Sequence, residues 1–325
     1  MTKKYYISFL LIGALAIFSI LPYTNYCIDK WRVLHNDYQH TYTGISPNKT
    51  YMKMRYLLDN KEKYETILMG SSRSGYMDAR LIGGKAYNMK FNFALVKMHL
   101  QNLKILLKHN IPIKNLWIGI NDYDIWKSPD DHIFDFQRRL YNDNIFEIFN
   151  TYSFYLLKAL DVRDIGILKK KYILIETKEI THPDESNMKT ARMRELKAKK
   201  DPGMKRKKMA LSKPTLLGYT DSSYRIDDVI SELAEIKEIC NEQKINVVFF
   251  FYPSFYKTYL GYNQFKIEEF KRQLVKKIHF HDFYALDKIS LDELNWNDSS
   301  HFHASIGSYM IDAIKNNDVL VTKKI

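Results

Sequence analysis

Apolar positions fall in short blocks along this chain, and their spacing switches between strand and helix. Glu65-Thr66-Ile67-Leu68-Met69 is a run of strand length that stops at Gly70, and Leu116-Trp117-Ile118-Gly119-Ile120 is a second. The longest run is Ile245-Asn246-Val247-Val248-Phe249-Phe250-Phe251-Tyr252, closed by Pro253. It is apolar at nearly every position, which predicts a strand buried on both faces, as in a parallel sheet covered by helices. A shorter strand is predicted over residues 278–283. Between these runs, Leu95, Met98, Leu100, Leu103, Ile105, Leu106 and Leu107 recur with helical period over residues 94–110. Further helices are predicted over 226–243, 265–277 and 305–316. Strands alternating with helices imply a three-layer α/β domain, with a parallel sheet of about five strands and helices on both faces.

The N-terminus has a different pattern. Met1-Thr2-Lys3-Lys4 precedes an apolar run over residues 5–21 that carries no charge, the plan of a signal sequence or signal anchor. The following Leu21-Pro22-Tyr23-Thr24-Asn25-Tyr26-Cys27 contains no small-x-small cleavage site. An uncleaved transmembrane anchor over residues 1–22 is therefore expected, and a cleaved signal peptide is the competing reading. With the lysines held on the cytoplasmic side, the rest of the chain is exported. Residues 23–63 read as an aromatic and polar stalk, and residues 64–325 as the globular domain. Within that domain, residues 160–222 break the strand–helix rhythm, are rich in Lys and Arg, and include Lys205-Arg206-Lys207-Lys208. They read as a basic insertion. No internal repeat is present.

Composition adds limits. At 325 residues, 46% hydrophobic and 27% charged, the chain is an ordinary globular one and long enough for a full core. Its net charge of +13 fits nucleic acid, anionic lipid or an anionic envelope polymer equally well. Export removes nucleic acid from that set and leaves a membrane or a cell-surface polymer as partner. Cys27 lacks the small residues that precede a lipidated cysteine, and Cys240 falls in a predicted helix. The two could pair, but they read as separate thiols, with no disulfide framework and no zinc-type spacing.

Three short segments carry candidate chemistry. Gly70-Ser71-Ser72-Arg73 lies at the exit of the first strand, where open parallel sheets place their ligands. A glycine permits a sharp turn there, which exposes a hydroxyl near free backbone N–H groups. Gly119-Ile120-Asn121-Asp122 lies at the exit of the second strand, so Asn121 belongs at the same edge. It suits an oxyanion donor, or it merely caps the next segment. Asp298-Ser299-Ser300-His301 precedes the last helix. A carboxylate three residues before a histidine can fix one ring nitrogen and leave the other to face a serine.

Taken together and in this order, Gly70-Ser71-Ser72, Gly119-x-Asn121-Asp122 and Asp298-x-x-His301 resemble blocks I, III and V of the SGNH/GDSL hydrolase superfamily. The Gly-Ser-Ser form is similar to that of its membrane-anchored branch, which includes polysaccharide O-acyltransferases and the teichoic-acid D-alanylation protein. The resemblance spans about residues 64–316. It implies a flavodoxin-like three-layer fold and an esterase or acyltransferase without metal or other cofactor. Ser72 would be the nucleophile, His301 the general base and Asp298 its orienter, with Asn121 and the Ser72 N–H in the oxyanion hole. It also implies an acylated cell-surface glycan as substrate and, for transfer, a membrane-bound partner that supplies the acyl donor. Block I has Ser71 where the most familiar members have Asp. Block II, matched by residues 88–94, has no glycine, and Asn92 is the residue whose backbone would donate in its place.

Two other readings compete. His279-x-His281-Asp282 and His301-x-His303 have spacings that suit a metal-dependent hydrolase. A catalytically inactive SGNH-like scaffold in envelope polysaccharide assembly would explain the absent glycine, whereas the intact Ser72, Asn121, Asp298 and His301 set disfavours it.

Overall fold

The apolar runs lie side by side. A computed structural model describes residues 3–35, 47–132, 135–162, 164, 166, 188–217, 219, 220 and 223–321 of the chain. Its strands are β1 (Thr66–Met69), β2 (Ala86–Asn88), β3 (Asn115–Ile120), β4 (Asn246–Phe251), β5 (Phe280–Asp282) and β6 (Leu320–Val321). Its helices are α1 (Lys3–Ile28), α2 (Lys49–Asp59), α3 (Val96–Lys108), α4 (Ile145–Leu156), α5 (Met188–Lys200), α6 (Pro202–Ala210), α7 (Ile226–Glu242), α8 (Tyr256–Leu260), α9 (Gln264–Leu274), α10 (Lys288–Leu291) and α11 (Ala304–Lys315). Among the described residues the strands form one sheet in the order β2-β1-β3-β4-β5-β6. The first five are parallel and β6 is antiparallel to β5. The expected parallel α/β sheet is therefore present, with an antiparallel edge strand added.

The chain divides into two compact units, residues 1–56 with 134–183, and residues 57–133 with 184–325. The sequence pattern placed its boundaries at 22 and 63. In the first unit, residues expected to form a stalk build a small core instead: Trp31, Val33 and Tyr51 are buried with Tyr155. Trp31 stacks on Phe136 at 4.3 Å, and the buried Lys30 ammonium pairs with Asp164 at 2.6 Å. Residues 36–46 of that segment lie outside the described residues. The expected anchor falls in α1, where the side chains of 3–7, 9–12 and 14–17 also lie outside them. Among the described residues no helix is long and apolar enough to cross a membrane. Neither Cys27 nor Cys240 is in a disulfide.

The second unit holds the sheet. Alternation along the strands sends Leu68, Trp117 and Phe250 to one face, where they pack with Ile306, Met310, Ile311 and Ile314 of α11. Helix α7 is a neighbour of both α3 and α9 on the opposite face, with Phe270 of α9 5.8 Å from Phe251 of β4. Helix α7 buries Val229, Leu233, Ile236 and Cys240, a stripe at helical spacing. Each fully buried aliphatic side chain of this kind contributes roughly 1.5–3 kcal/mol. The strand order reverses beside β1, and in sheets of this kind ligands bind at the C-terminal strand ends at that point.

Of the expected basic insertion, residues 163, 165, 167–187, 218, 221 and 222 lie outside the described residues. The part around the Lys/Arg run forms α5 and α6, which place Met188, Ala191 and Met209 in the core on the α11 side. Their basic residues reach over the site end of the sheet. Arg192 pairs with Asp78 at 3.3 Å, and Arg206 with Asp292 and Glu293 at 3.0 and 3.1 Å.

Candidate active site

The turn after β1 begins at Gly70, and the first reason for glycine there is space. A Cβ on Gly70 would lie 2.1 Å from the Tyr252 hydroxyl, and one on Gly119 would lie 1.9 Å from it. The two glycines thus leave a channel across the strand ends through which Tyr252 reaches Ser74, and their hydroxyls are hydrogen-bonded. Ser71 caps a short 3-10 turn, Ser72–Tyr76, by accepting the N–H of Arg73 at 3.3 Å. Ser72 stands first in that turn and is half-buried, and its own N–H donates to no acceptor among the described residues. Initial N–H groups of a turn have no partner within it and are available to a ligand.

His301 meets Ser72 from a loop 229 residues further on. Its Nε2 is 2.9 Å from Ser72 Oγ, and its Nδ1 is 2.9 and 3.0 Å from the two oxygens of Asp298. The carboxylate accepts, so Nδ1 carries the proton, and an unprotonated Nε2 accepts from the serine hydroxyl. Asp298 Oδ1 also accepts the N–H groups of Ser300 and His301, at 2.9 and 3.0 Å. Burial would raise the Asp298 pKa, but the His301 bond and charge, with those N–H groups, outweigh it and hold the carboxyl below its ordinary range. The loop itself is clamped. Asn297 N–H donates to His301 O at 2.7 Å, Thr258 Oγ1 to Ser299 O at 2.8 Å, and Lys205 of α6 to Asn297 O at 2.8 Å. On the side of α5, Arg194 donates to the Tyr76 hydroxyl, whose ring lies 5.5 Å from that of His301.

No protein-family model matches this chain, and no curated protein matches it.

Asn121 follows β3 and is buried. Its Nδ2 donates to Ala94 O at 3.2 Å and to Asp124 Oδ2 at 3.3 Å, while Oδ1 has no partner among the described residues. The reciprocal contact comes from Asp124, which accepts the backbone N–H of Asn121 at 2.7 Å, while the Asn121 side chain makes no capping bond of its own. Asp124 also accepts the backbone N–H of Val96 at 3.2 Å. The stretch expected to replace the glycine-bearing block runs alongside β1, with Phe91 N–H donating to Gly70 O at 3.2 Å. Asn92 follows, half-buried in a turn, and Phe93 beside it has φ +54, the left-handed region that favours glycine. The histidine pairs proposed as metal ligands do not converge. His281 Nδ1 is bonded to Asp318 O at 2.9 Å, Asp282 pairs with Lys271 at 2.8 Å, and His279 is exposed. Among the described residues no three His, Cys, Asp or Glu side chains are grouped to hold a metal.

The sequence reading assigned no role to Arg73, which is 3% exposed. Its Nη2 pairs with Asp122 at 3.0 Å, and its Nε donates to the carbonyl of Ser300 at 3.2 Å. Ser254 Oγ adds a bond to the same Asp122 oxygen at 3.3 Å, and Arg73 Nη1 has no partner among the described residues. Burial lowers the guanidinium pKa, but the Asp122 charge more than restores it, so the group stays charged. One side chain thereby joins the serine turn, the residue after Asn121 and the residue before His301.

Two outcomes follow. Arg73→Met is expected to cost about 3–5 kcal/mol in urea unfolding because it leaves Asp122 buried and unpaired, whereas Arg73→Met with Asp122→Leu recovers most of that loss. Burial pushes the Asp124 carboxyl up to about 7, against the bonds from Asn121 and Val96. Folding is therefore favoured by this group below its ordinary value of 3.8, and that stability is lost as pH rises through about 7. Unfolding free energy measured from pH 4 to 8 should fall in the wild type and be flatter in Asp124→Asn.

Proposed function

We propose that the protein is an SGNH-type serine esterase or O-acyltransferase, anchored in the membrane by its N-terminal helix and acting outside the cytoplasm on acyl esters of a cell-surface polysaccharide. The observation that carries this reading is the unbroken relay from Asp298 through His301 to Ser72, at the C-terminal edge of a sheet ordered 2-1-3-4-5. That order is the flavodoxin-like one, and its ligand crevice lies beside the first strand. The blocks Gly70-Ser71-Ser72, Gly119-x-Asn121-Asp122 and Asp298-x-x-His301 support the SGNH assignment. The apolar run within α1 and the net charge of +13 support a membrane and an exported glycan as partners.

In this mechanism His301 Nε2 takes the Ser72 proton as Oγ attacks the ester carbonyl, and Asp298 stabilises the imidazolium that forms. The Ser72 N–H faces the developing oxyanion, with the Asn92 N–H as a further donor and the Asn121 amide as a third once it releases Ala94 or Asp124. Collapse expels the alcohol, which takes the proton from His301, and leaves an acyl-Ser72. Water then completes hydrolysis, or a sugar hydroxyl completes transfer. For transfer, a membrane-bound partner would supply the activated acyl group.

A second reading, an inactive scaffold in polysaccharide assembly, is favoured by the engagement of both Asn121 amide hydrogens and by the lack of a glycine at residues 88–94. Turnover of p-nitrophenyl acetate separates the two. The enzyme reading expects wild-type turnover, with kcat/KM lower by more than about a thousandfold in Ser72→Ala and His301→Ala and by less in Asp298→Ala. No turnover by the folded wild type would put the scaffold first.

A further inference from the structure

The sheet has a second polar cleft at its other edge. Thr66, Asn115 and Asn246 stand in one row at the starts of β1, β3 and β4. Asn246 Nδ2 donates to Asn115 Oδ1 at 3.3 Å, and Asn115 Nδ2 to Thr66 Oγ1 at 3.2 Å. A crevice of about 550 Å³ borders this row, with Trp117 and Val248, the next residues on the same face, among its lining. That is the size of small-molecule sites, about 300–1,000 Å³.

Its charge distinguishes it from the rest of the molecule. In a chain of +13, the charged side chains of the lining are one carboxylate and one ammonium, and both are engaged. Glu65 pairs with Lys114 at 2.7 Å, and Lys315 donates to Leu81 O at 2.6 Å. What remains is polar: the two amides of the row, the exposed amide of Asn317, a hydroxyl and the ring of His281. The His281 Nδ1–H donates to Asp318 O at 2.9 Å. Asn246 Oδ1 and one hydrogen on each amide are left over once the ladder is made. An anion would meet one ammonium, Lys315, set against the Glu65 carboxylate of the same lining, and a wholly apolar ligand would leave the amides without partners. A sugar ring meets both demands, because each hydroxyl can donate and accept while the C–H face packs on apolar and aromatic surface.

We propose that this crevice is a saccharide-binding subsite for neutral sugar units, separate from the Ser72 edge and independent of its chemistry. The test is saturation-transfer NMR on the full chain in a detergent without a sugar headgroup. The probes are the methyl glycosides of glucose, galactose and N-acetylglucosamine, with inorganic phosphate as competitor. At least one glycoside should bind at millimolar concentration, equally to wild type and Ser72→Ala, and phosphate should not displace it. Asn246 is exposed, so Asn246→Ala should fold with an unchanged melting curve and bind about fivefold more weakly, the loss of one or two uncharged hydrogen bonds. Asn115→Ala should weaken binding in the same direction. Absence of binding by all three glycosides, displacement by phosphate, or unaltered affinity in both variants would overturn the proposal. None of those outcomes bears on the triad, which the ester assay reads separately.

Discussion

A guanidinium shut away from water must be matched by a charge, and the pairing of Arg73 with Asp122 is the constraint on which the site end of this protein depends. The two residues belong to loops 49 positions apart, and Arg73 also holds the carbonyl of Ser300, 227 positions away. Buried ion pairs add little net stability over apolar residues of similar size, but breaking one is expensive. Such a pair therefore acts as a lock on geometry more than as a source of folding energy. Here it fixes where the serine turn stands relative to the histidine loop. A relay that needs about 3 Å between Ser72 and His301 can be kept only if both loops are fixed, because small misplacements are costly in catalysis.

The same edge shows why the strand ends are built as they are. Gly70 and Gly119 read in the sequence as turn and strand residues, yet each is also a gap that the Tyr252 hydroxyl fills. The basic helices α5 and α6 look, by composition, like a solvated surface. Instead they place methionines in the core and lay Arg194 and Lys205 against Tyr76 and Asn297, beside the relay. Lys205 has its ammonium pKa lowered by burial and by Lys208, an effect that the Asp298 charge opposes. The basic segment is thus part of the electrostatic surroundings of the carboxylate.

Much of this was legible in the chain because the signals are local. The run 245–252 reads as a strand buried on both faces, and it lies inside the sheet as β4, with Phe249, Phe250 and Phe251 buried and its first residue, Asn246, exposed. Asp298 and His301 are three residues apart, so their mutual geometry needed no knowledge of the fold. Strand β2, by contrast, has three residues, Ala86 to Asn88, too few to show a period. Trp31 and Tyr51 read as stalk because their partners Phe136 and Tyr155 come about a hundred residues later and carry no mark of the pairing. Arg73 and Asp122 escaped for the opposite reason, since charged residues next to a turn ordinarily face water. Their burial is a property of three loops meeting, which no window of sequence contains. Asn121 was read as donor or cap, and its amide is instead bonded to Ala94 O, a partner from outside its own turn, and to the Asp124 carboxylate three positions on.

The central claim is that Ser72, His301 and Asp298 form a working nucleophile. The most direct measurement is reaction of the full chain with a fluorophosphonate probe, followed by mass mapping of the adduct in wild type, Ser72→Ala and His301→Ala. The account predicts a single adduct on Ser72 that forms in the wild type, disappears in Ser72→Ala and is severely slowed in His301→Ala. An unmodified wild type, or an adduct on Ser71 or another serine that forms without His301, would contradict it.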